Sequence, residues 1–190
     1  MKMGKIEKLF VNNETHSRQV SKHFERLLQH TKVERGQTYL DLGCGSGAAP
    51  IHLAQTYGLV VTGIDVDPEQ IALAQTQSAN LPDARFLTID GTQLPFADAA
   101  FDFVTSFMSF MDIPETGCVF SEAYRILKPG GVFIFDVVTR QLCEDHFSGT
   151  RDVVTVGDTR IVRESEFDAA QSLQQNDFFI TTGGRTVRER

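Results

Sequence analysis

The chain is 190 residues long, 41% hydrophobic, and carries a formal charge of −7 at neutral pH. That length suits one domain with a proper core. No apolar run approaches the ~20 residues that cross a bilayer, and the acid excess argues against a polyanionic partner such as nucleic acid. Cys44, Cys118 and Cys143 are scattered, form no metal-ligand pair and fit a reduced, cytoplasmic setting, while Met1 to Lys8 lack the apolar core of a signal peptide.

Residues 14–31 read as an amphipathic helix, with Val20, Phe24, Leu27 and Leu28 at helical spacing. His16, His23 and His30 recur every seven residues along it, which suits a solvated or substrate-facing stripe better than a metal site. Gly36 breaks that helix, and an apolar strand follows through Tyr39-Leu40-Asp41-Leu42. Three glycines at alternate positions, Gly43-Cys44-Gly45-Ser46-Gly47, then lead into a helix. Glycine has no Cβ and tolerates positive φ, so such a loop lets a ligand touch the backbone, and the helix behind it aims free N–H groups the same way. Val60–Ile64 is a β-branched strand ending in Asp65, and Asp67-Pro68-Glu69-Gln70 opens a helix with Asp as N-cap and Pro at the first position. Arg85–Ile89 predicts a strand ending in Asp90-Gly91, and Phe101–Thr105 predicts another. Pro114–Leu127 predicts a helix with Val119, Ala123, Ile126 and Leu127 inward; Lys128-Pro129-Gly130-Gly131 stops it, and Val132–Val138 reads as a buried strand.

This alternation with short connections predicts an α/β fold: a doubly wound, mostly parallel sheet with helices on both faces. Its ligand belongs at the carboxyl ends of the strands, where the strand order reverses. After about residue 150 the rhythm changes to strands at Val153–Val156, Arg160–Phe167 and Leu173–Thr181, with a further turn at Gly183-Gly184. No helix intervenes, which predicts an antiparallel β-meander. The expected division is therefore a helical segment over 1–34, a cofactor-binding core over 35–140 and a β flap over 141–190.

The glycine loop admits two adenosine cofactors. Gly43, Gly45 and Ala48 satisfy the dinucleotide pattern G-x-G-x-x-A, with Asp65 at about the distance of a ribose acid, so an NAD-type oxidoreductase is one reading. Asp41 points elsewhere: a carboxylate beside the loop repels pyrophosphate and suits a cofactor with a cationic amino group.

Asp41-x-Gly43-x-Gly45-x-Gly47 resembles the first motif of class I S-adenosylmethionine-dependent methyltransferases. Leu94-Pro95-Phe96-Ala97-Asp98-Ala99-Ala100-Phe101-Asp102-Phe103-Val104 and Glu122-Ala123-Tyr124-Arg125-Ile126-Leu127-Lys128-Pro129-Gly130-Gly131 are similar to later motifs of the same family, in the same order. The match covers residues ~35 to ~138 and is nearest in character to the small-molecule "type 11" enzymes. The resemblance implies that S-adenosylmethionine is held by Asp41, Gly43, Cys44, Gly45, Gly47, Asp65, Val66, Asp90, Gly91, Ser106 and Phe107. In that scheme Asp65 accepts the ribose hydroxyls, and Asp90 accepts from the adenine amino group beside Gly91 and Thr92. Val66 and Leu94 sandwich the ring, while Asp41 with carbonyls near Gly43 and Ser106-Phe107 holds the methionine end. Cys44 reads as a small filler in the loop rather than a nucleophile, since the sequence names no base beside it.

The implied reaction is methyl transfer to a small molecule by in-line displacement, in which alignment alone can supply roughly 7–11 kcal/mol of the barrier. No catalytic residue is singled out; His16, His23, His146 and Asp112 are the candidate acid/base groups. The loop Ser106–Pro114 lacks the signature of enzymes that methylate amide or base nitrogens, and its Phe and Met content suggests an apolar, adaptable wall. Family members carry a further helix and an antiparallel strand pair where this chain stops, at Thr186–Arg190. A truncated chain, or a homodimer covering the exposed edge, is the expectation that follows. A non-catalytic S-adenosylmethionine-binding or dimerisation module is the third reading.

Overall fold

The computed structural model describes residues 21–189 except 23, 24, 27, 30, 108, 111, 112, 138 and 172. The helix expected over 14–31, with His16, His23 and His30, therefore lies largely outside the described residues, as do Asp112 and the side chain of His146. The chain divides into two compact units, one extending to residue 137 and the other from residue 138 onward.

The first unit runs β1 (Thr38–Leu42), α1 (Ala48–Tyr57), β2 (Val60–Asp65), α2 (Pro68–Gln77), β3 (Ala84–Thr88), β4 (Phe101–Ser106), α3 (Thr116–Ile126) and β5 (Leu127–Phe135). The five strands form one parallel sheet in the order β3-β2-β1-β4-β5. The order reverses between β1 and β4, which places the crevice for a ligand at their carboxyl ends. Side chains alternate across the sheet. Leu40 and Leu42 pack with Ile64, Val104, Val119 and Ile126 on the α3 face. Tyr39 packs with Leu53, Leu59, Val61 and Phe103 on the α1 face. Asp41, two residues after Tyr39, falls on that second face.

Local chemistry sets the helix ends. Asp67 caps α2 by accepting from the Glu69 N–H (3.0 Å), with Pro68 at the first helical position as expected. α1 closes at Gly58, whose left-handed backbone (φ 67°) lets its N–H reach the Ala54 carbonyl.

Two expectations need correction here. Lys128–Gly131 does not separate α3 from β5: the strand starts at Leu127 and pairs first with Phe101, then Val132 pairs with Phe103, so these residues form a bulge inside the strand. The bulge is held by Lys128, whose Nζ donates to Asp102 Oδ2 (2.8 Å), where the Thr38 N–H (2.7 Å) and hydroxyl (2.8 Å) also converge. Burial opposes ionisation of Asp102, yet Lys128 and Thr38 prevail and hold its carboxyl below the usual range. The strand also ends at Phe135, short of the Val138 expected.

The second unit opens with a short helical stretch, Arg140–Leu142, capped by Thr139 and followed by a π-helical turn over Cys143–Phe147. Then β6 (Thr150–Val156), β7 (Thr159–Asp168), β8 (Leu173–Thr182) and β9 (Arg185–Glu189) pair in sequence, each antiparallel to the last. This is the meander, with a fourth strand after the Gly183-Gly184 turn. Its apolar centre is small: Ile161 and Phe178, flanked by Val154 and Ile180. No helix among the described residues is long and apolar enough to cross a membrane.

Candidate functional site

The glycine loop leaves β1 at the point where β2 ends. The N–H groups of Gly43 and Cys44 both donate to the Ile64 carbonyl (2.9 Å each), which draws the loop over the end of β2. Gly43 has φ +77°, and a Cβ there would collide with Ser109. Gly45 has φ +53°, and a Cβ there would meet nothing nearer than Gln70 Oε1, at 4.0 Å. One glycine thus allows close packing of the next loop, and the other leaves room for a ligand.

Asp65 lies at the end of β2 under this loop. Its Oδ2 accepts from the Gly45 N–H (2.9 Å) and its Oδ1 from the Asp67 N–H (2.8 Å). The family resemblance implied that Asp65 accepts the ribose hydroxyls. The structure shows both of its oxygens also building the loop, each with acceptor capacity remaining.

Asp41 is almost fully buried and faces Thr105 across the β1–β4 ladder, where the two are register partners. The Thr105 hydroxyl donates to Asp41 Oδ1 (2.6 Å) and itself lies 2.5 Å from the Tyr39 hydroxyl. Oδ2 accepts no hydrogen bond from the described residues. Burial raises the Asp41 pKa to about 7; the Thr105 hydroxyl pulls it down and the nearby Asp65 charge pushes it up. Cys44 is buried as well, and burial, reinforced by the charges of Asp41 and Asp65, pushes its thiol well above the usual range. A thiol held neutral in this way suits packing rather than attack.

The loop after β4 closes over the glycines. Ser106 and Ser109 both direct hydroxyls to the Leu42 carbonyl (3.2 Å each), and Ser109 also reaches the Gly43 carbonyl (3.4 Å). Phe107 packs on the α1-side core. Next to Ser109, Phe110 stacks on Phe120 (centroids 4.9 Å, planes 13° apart) and meets Phe133 and Phe135 edge-on. Phe120 and Phe135 remain partly exposed.

The remaining expected residues are spread along the same edge. Val66 is half exposed, whereas Leu94 is buried in the α3-side core. Asp90 uses Oδ1 to accept from the Thr92 N–H (2.9 Å), an Asx turn that shapes the segment around Gly91. The later sequence motifs meet each other directly. Arg125 donates to the carbonyls of Leu94 (2.9 Å) and Phe96 (2.8 Å) and pairs with Asp98 and Glu122, and Glu122 accepts from the Leu94 N–H (2.7 Å). Arg125 and that N–H hold Glu122 down to about 2.

Four contributors escaped the sequence reading: Thr105, Tyr39, Ser109 and Gln70. Gln70 is fully buried on α2, and neither of its amide atoms finds a hydrogen-bond partner among the described residues. Buried amides without partners are costly, so this one, beside Gly45, fits a cradle completed by a ligand. Parallel register was the signal for Thr105: it pairs with Asp41 once β4 lies beside β1.

Comparison with known proteins bears on the family and the fold. The 2-methyl-6-phytyl-1,4-hydroquinone methyltransferase of Synechocystis sp. is 36% identical over 99 residues, covering 52% of this chain and 31% of the relative. Haemonchus contortus phosphoethanolamine N-methyltransferase 2, solved with S-adenosyl-L-methionine, superposes with a TM-score of 0.57 at 26% identity, covering 65% of this chain and 31% of that one. An S-adenosylmethionine-dependent methyltransferase from Clostridium acetobutylicum shares the fold over 95% of this chain and 74% of its own, with a TM-score of 0.62 at 19% identity. The chain spans 31% to 46% of the length of the curated relatives it matches. The model of the methyltransferase domain family matches residues 40–135, half of the chain, from within β1 to the end of β5, and the protein belongs to that family.

Proposed function

We propose that the protein binds S-adenosylmethionine at the β1–β4 crevice and transfers its methyl group to an apolar small-molecule acceptor. The observation that carries this reading is the buried Asp41 carboxylate beside an open glycine loop. A group with one free oxygen there attracts an ammonium and repels the pyrophosphate of NAD. The sulfonium cofactor supplies an activated methyl group with a neutral leaving group.

The chain's own residues bind and align. Gly43, Cys44, Gly45 and Gly47 form the backbone cradle. Asp65 takes the ribose hydroxyls with the acceptor capacity its two backbone bonds leave free. Val66, exposed beside it, covers one face of the adenine, and Asp90 with Gly91 meets the ring edge. Ser106 and Phe107 line the methionine end with Asp41. Phe110, one residue from the Ser109 contact on the loop, joins a cluster of rings with Phe120, Phe133 and Phe135 that offers a partly exposed apolar surface for an acceptor. The Synechocystis relative, named for a phytyl-hydroquinone acceptor, fits the same apolar chemistry. A cytoplasmic enzyme, homodimeric through the edge strand β5 or the meander, completes the proposal.

Calorimetry with S-adenosylmethionine, S-adenosylhomocysteine and NAD tests it. Ligand at 100-fold its dissociation constant should stabilise the native state by about 2.7 kcal/mol. A response to NAD alone would overturn the reading. Transfer of isotope-labelled methyl to a phytylated hydroquinone, against a polar amine as control, tests the acceptor class.

A further inference from the structure

The α1-side core contains a polar island that packing does not require. Tyr39 and Thr105 are both fully buried, among Leu53, Leu59, Val61 and Phe103, where Phe and Val would fill the same space without hydroxyls. A buried hydroxyl is costly unless bonded. These two are bonded to each other and, through Thr105, to a third buried polar group, Asp41. The proton order follows from the inventory of donors. A carboxylate only accepts, so Thr105 gives its single proton to Asp41 Oδ1, and Tyr39 must then donate to Thr105. The chain Tyr39 to Thr105 to Asp41 has one direction and ends on one oxygen.

We infer that Tyr39 and Thr105 form a two-hydroxyl lock that fixes Asp41 through Oδ1 and so presents Oδ2 as the acceptor for the cofactor's ammonium group, making Thr105 a positioning residue for that end of the ligand. The inference rests on the cofactor reading above but goes beyond it: the affinity of the site for an amino-acid-bearing ligand is set by a side chain that touches no ligand. Among the described residues, the titratable groups around Asp41 are Tyr39 on its own strand, Cys44 in the loop and Asp65 at the end of β2. β4 faces it with the uncharged Thr105, and His52 on α1 is taken up by Glu25. Among the described residues no Lys or Arg pairs with Asp41. The Thr105 proton is thus the interaction that favours the ionised carboxylate, against burial and the Asp65 charge. Without it the neutral form gains, and an ammonium ligand loses its counter-charge at neutral pH.

Two ligands separate this role from mere packing. S-adenosylhomocysteine carries the amino-acid end, and 5′-methylthioadenosine has the same adenosine and sulfur without it. Calorimetry on the full chain between pH 6 and 9 should show wild type favouring S-adenosylhomocysteine, with that preference fading as pH falls below about 7. Thr105→Val should lose about tenfold or more in S-adenosylhomocysteine affinity at pH 7, hold 5′-methylthioadenosine within about twofold, and move the midpoint of the pH profile upward. Thr105→Ser should restore both affinity and midpoint. Tyr39→Phe, which keeps the ring, should shift the profile the same way by a smaller amount and serves if Thr105→Val fails to fold. Equal loss of both ligands in these variants, or no loss of either, would overturn the lock. Wild type binding neither ligand would instead remove the cofactor reading beneath it, and equal binding of both ligands by wild type and Asp41→Asn would remove Asp41 from the site.

Discussion

The two units handle polar groups in opposite ways. In the parallel-sheet unit, Asp41, Thr105 and Ser106 are buried near strand ends and Gln70 is buried on α2, where its amide has no hydrogen-bond partner among the described residues. In the meander, charged side chains in contact with solvent pair across strands, Arg163 with Asp152 and Arg151 with Glu164. Paired surface charges add little stability and ask for nothing further. Buried charges and unpartnered amides carry an unfavourable free energy that a ligand can offset. That contrast is what supports the proposed site in the first unit, and it can be broken or sharpened by substitution.

The largest effect is expected at Asp65. Asp65→Ala removes the acceptor for Gly45 and Asp67 as well as the ribose contacts, so cofactor affinity should fall at least tenfold and stability should drop by about 1–3 kcal/mol. Titration calorimetry and chemical denaturation read the two losses. An unchanged affinity would show that Asp65 serves only the loop.

Asp41 should behave in the reverse manner. Its folded pKa, about 7, lies above the usual 3.8. A raised value means that its contribution to stability is fully present below about pH 4 and is lost as pH rises through about 7. At about 1.4 kcal/mol per pH unit, ionising Asp41 costs the ligand-free protein a few kcal/mol. Asp41→Asn should therefore stabilise the free protein above pH 7, by an amount that shrinks toward pH 4, while weakening the cofactor. Melting curves across that range, with and without S-adenosylhomocysteine, check both signs. A variant less stable than wild type at pH 8 would deny that Asp41 is a functional burden on the fold.

The meander tests the other side of the comparison. Ile161→Ala empties its small apolar centre and should cost about 2–4 kcal/mol in that unit, with cofactor affinity unchanged. Loss of cofactor binding in a chain whose parallel sheet is intact would place the meander in the cofactor site.

How much of this was legible in the sequence follows the same division. Short-range signals were readable: the glycine loop, the Asp67-Pro68 helix start, the alternation of strands and helices, and the period-two pattern after residue 150. Two features were not. The Lys128–Gly131 bulge looks like a plain break, because Pro and Gly report only that a helix ends; the Lys128 bond to Asp102, 26 residues away, is what keeps those residues in the strand. Tyr39 and Thr105 look like ordinary strand residues, since β-branched and aromatic side chains are what strands contain. Only the β1–β4 register, which joins residues 64 apart, brings Thr105 onto Asp41 and so links Tyr39 to it through Thr105.

The smallest effects separate the two kinds of ion pair. Glu122 is partly buried and accepts from both Arg125 and the Leu94 N–H, with its pKa held to about 2 rather than the usual 4.5. A lowered value gives stability present above about pH 4.5 and lost as pH falls toward 2. Glu122→Gln should therefore cost about 1–2 kcal/mol at pH 7 and little at pH 2. Arg163 and Asp152, paired across β6 and β7 in contact with solvent, should contribute about 0.2–1 kcal/mol between them, declining as salt screens the pair. A double-mutant cycle at low and high salt measures that coupling. A coupling as large as the Glu122 effect, or one indifferent to salt, would mean that the meander's charges are shielded from water, and the contrast between the two units would lose its basis.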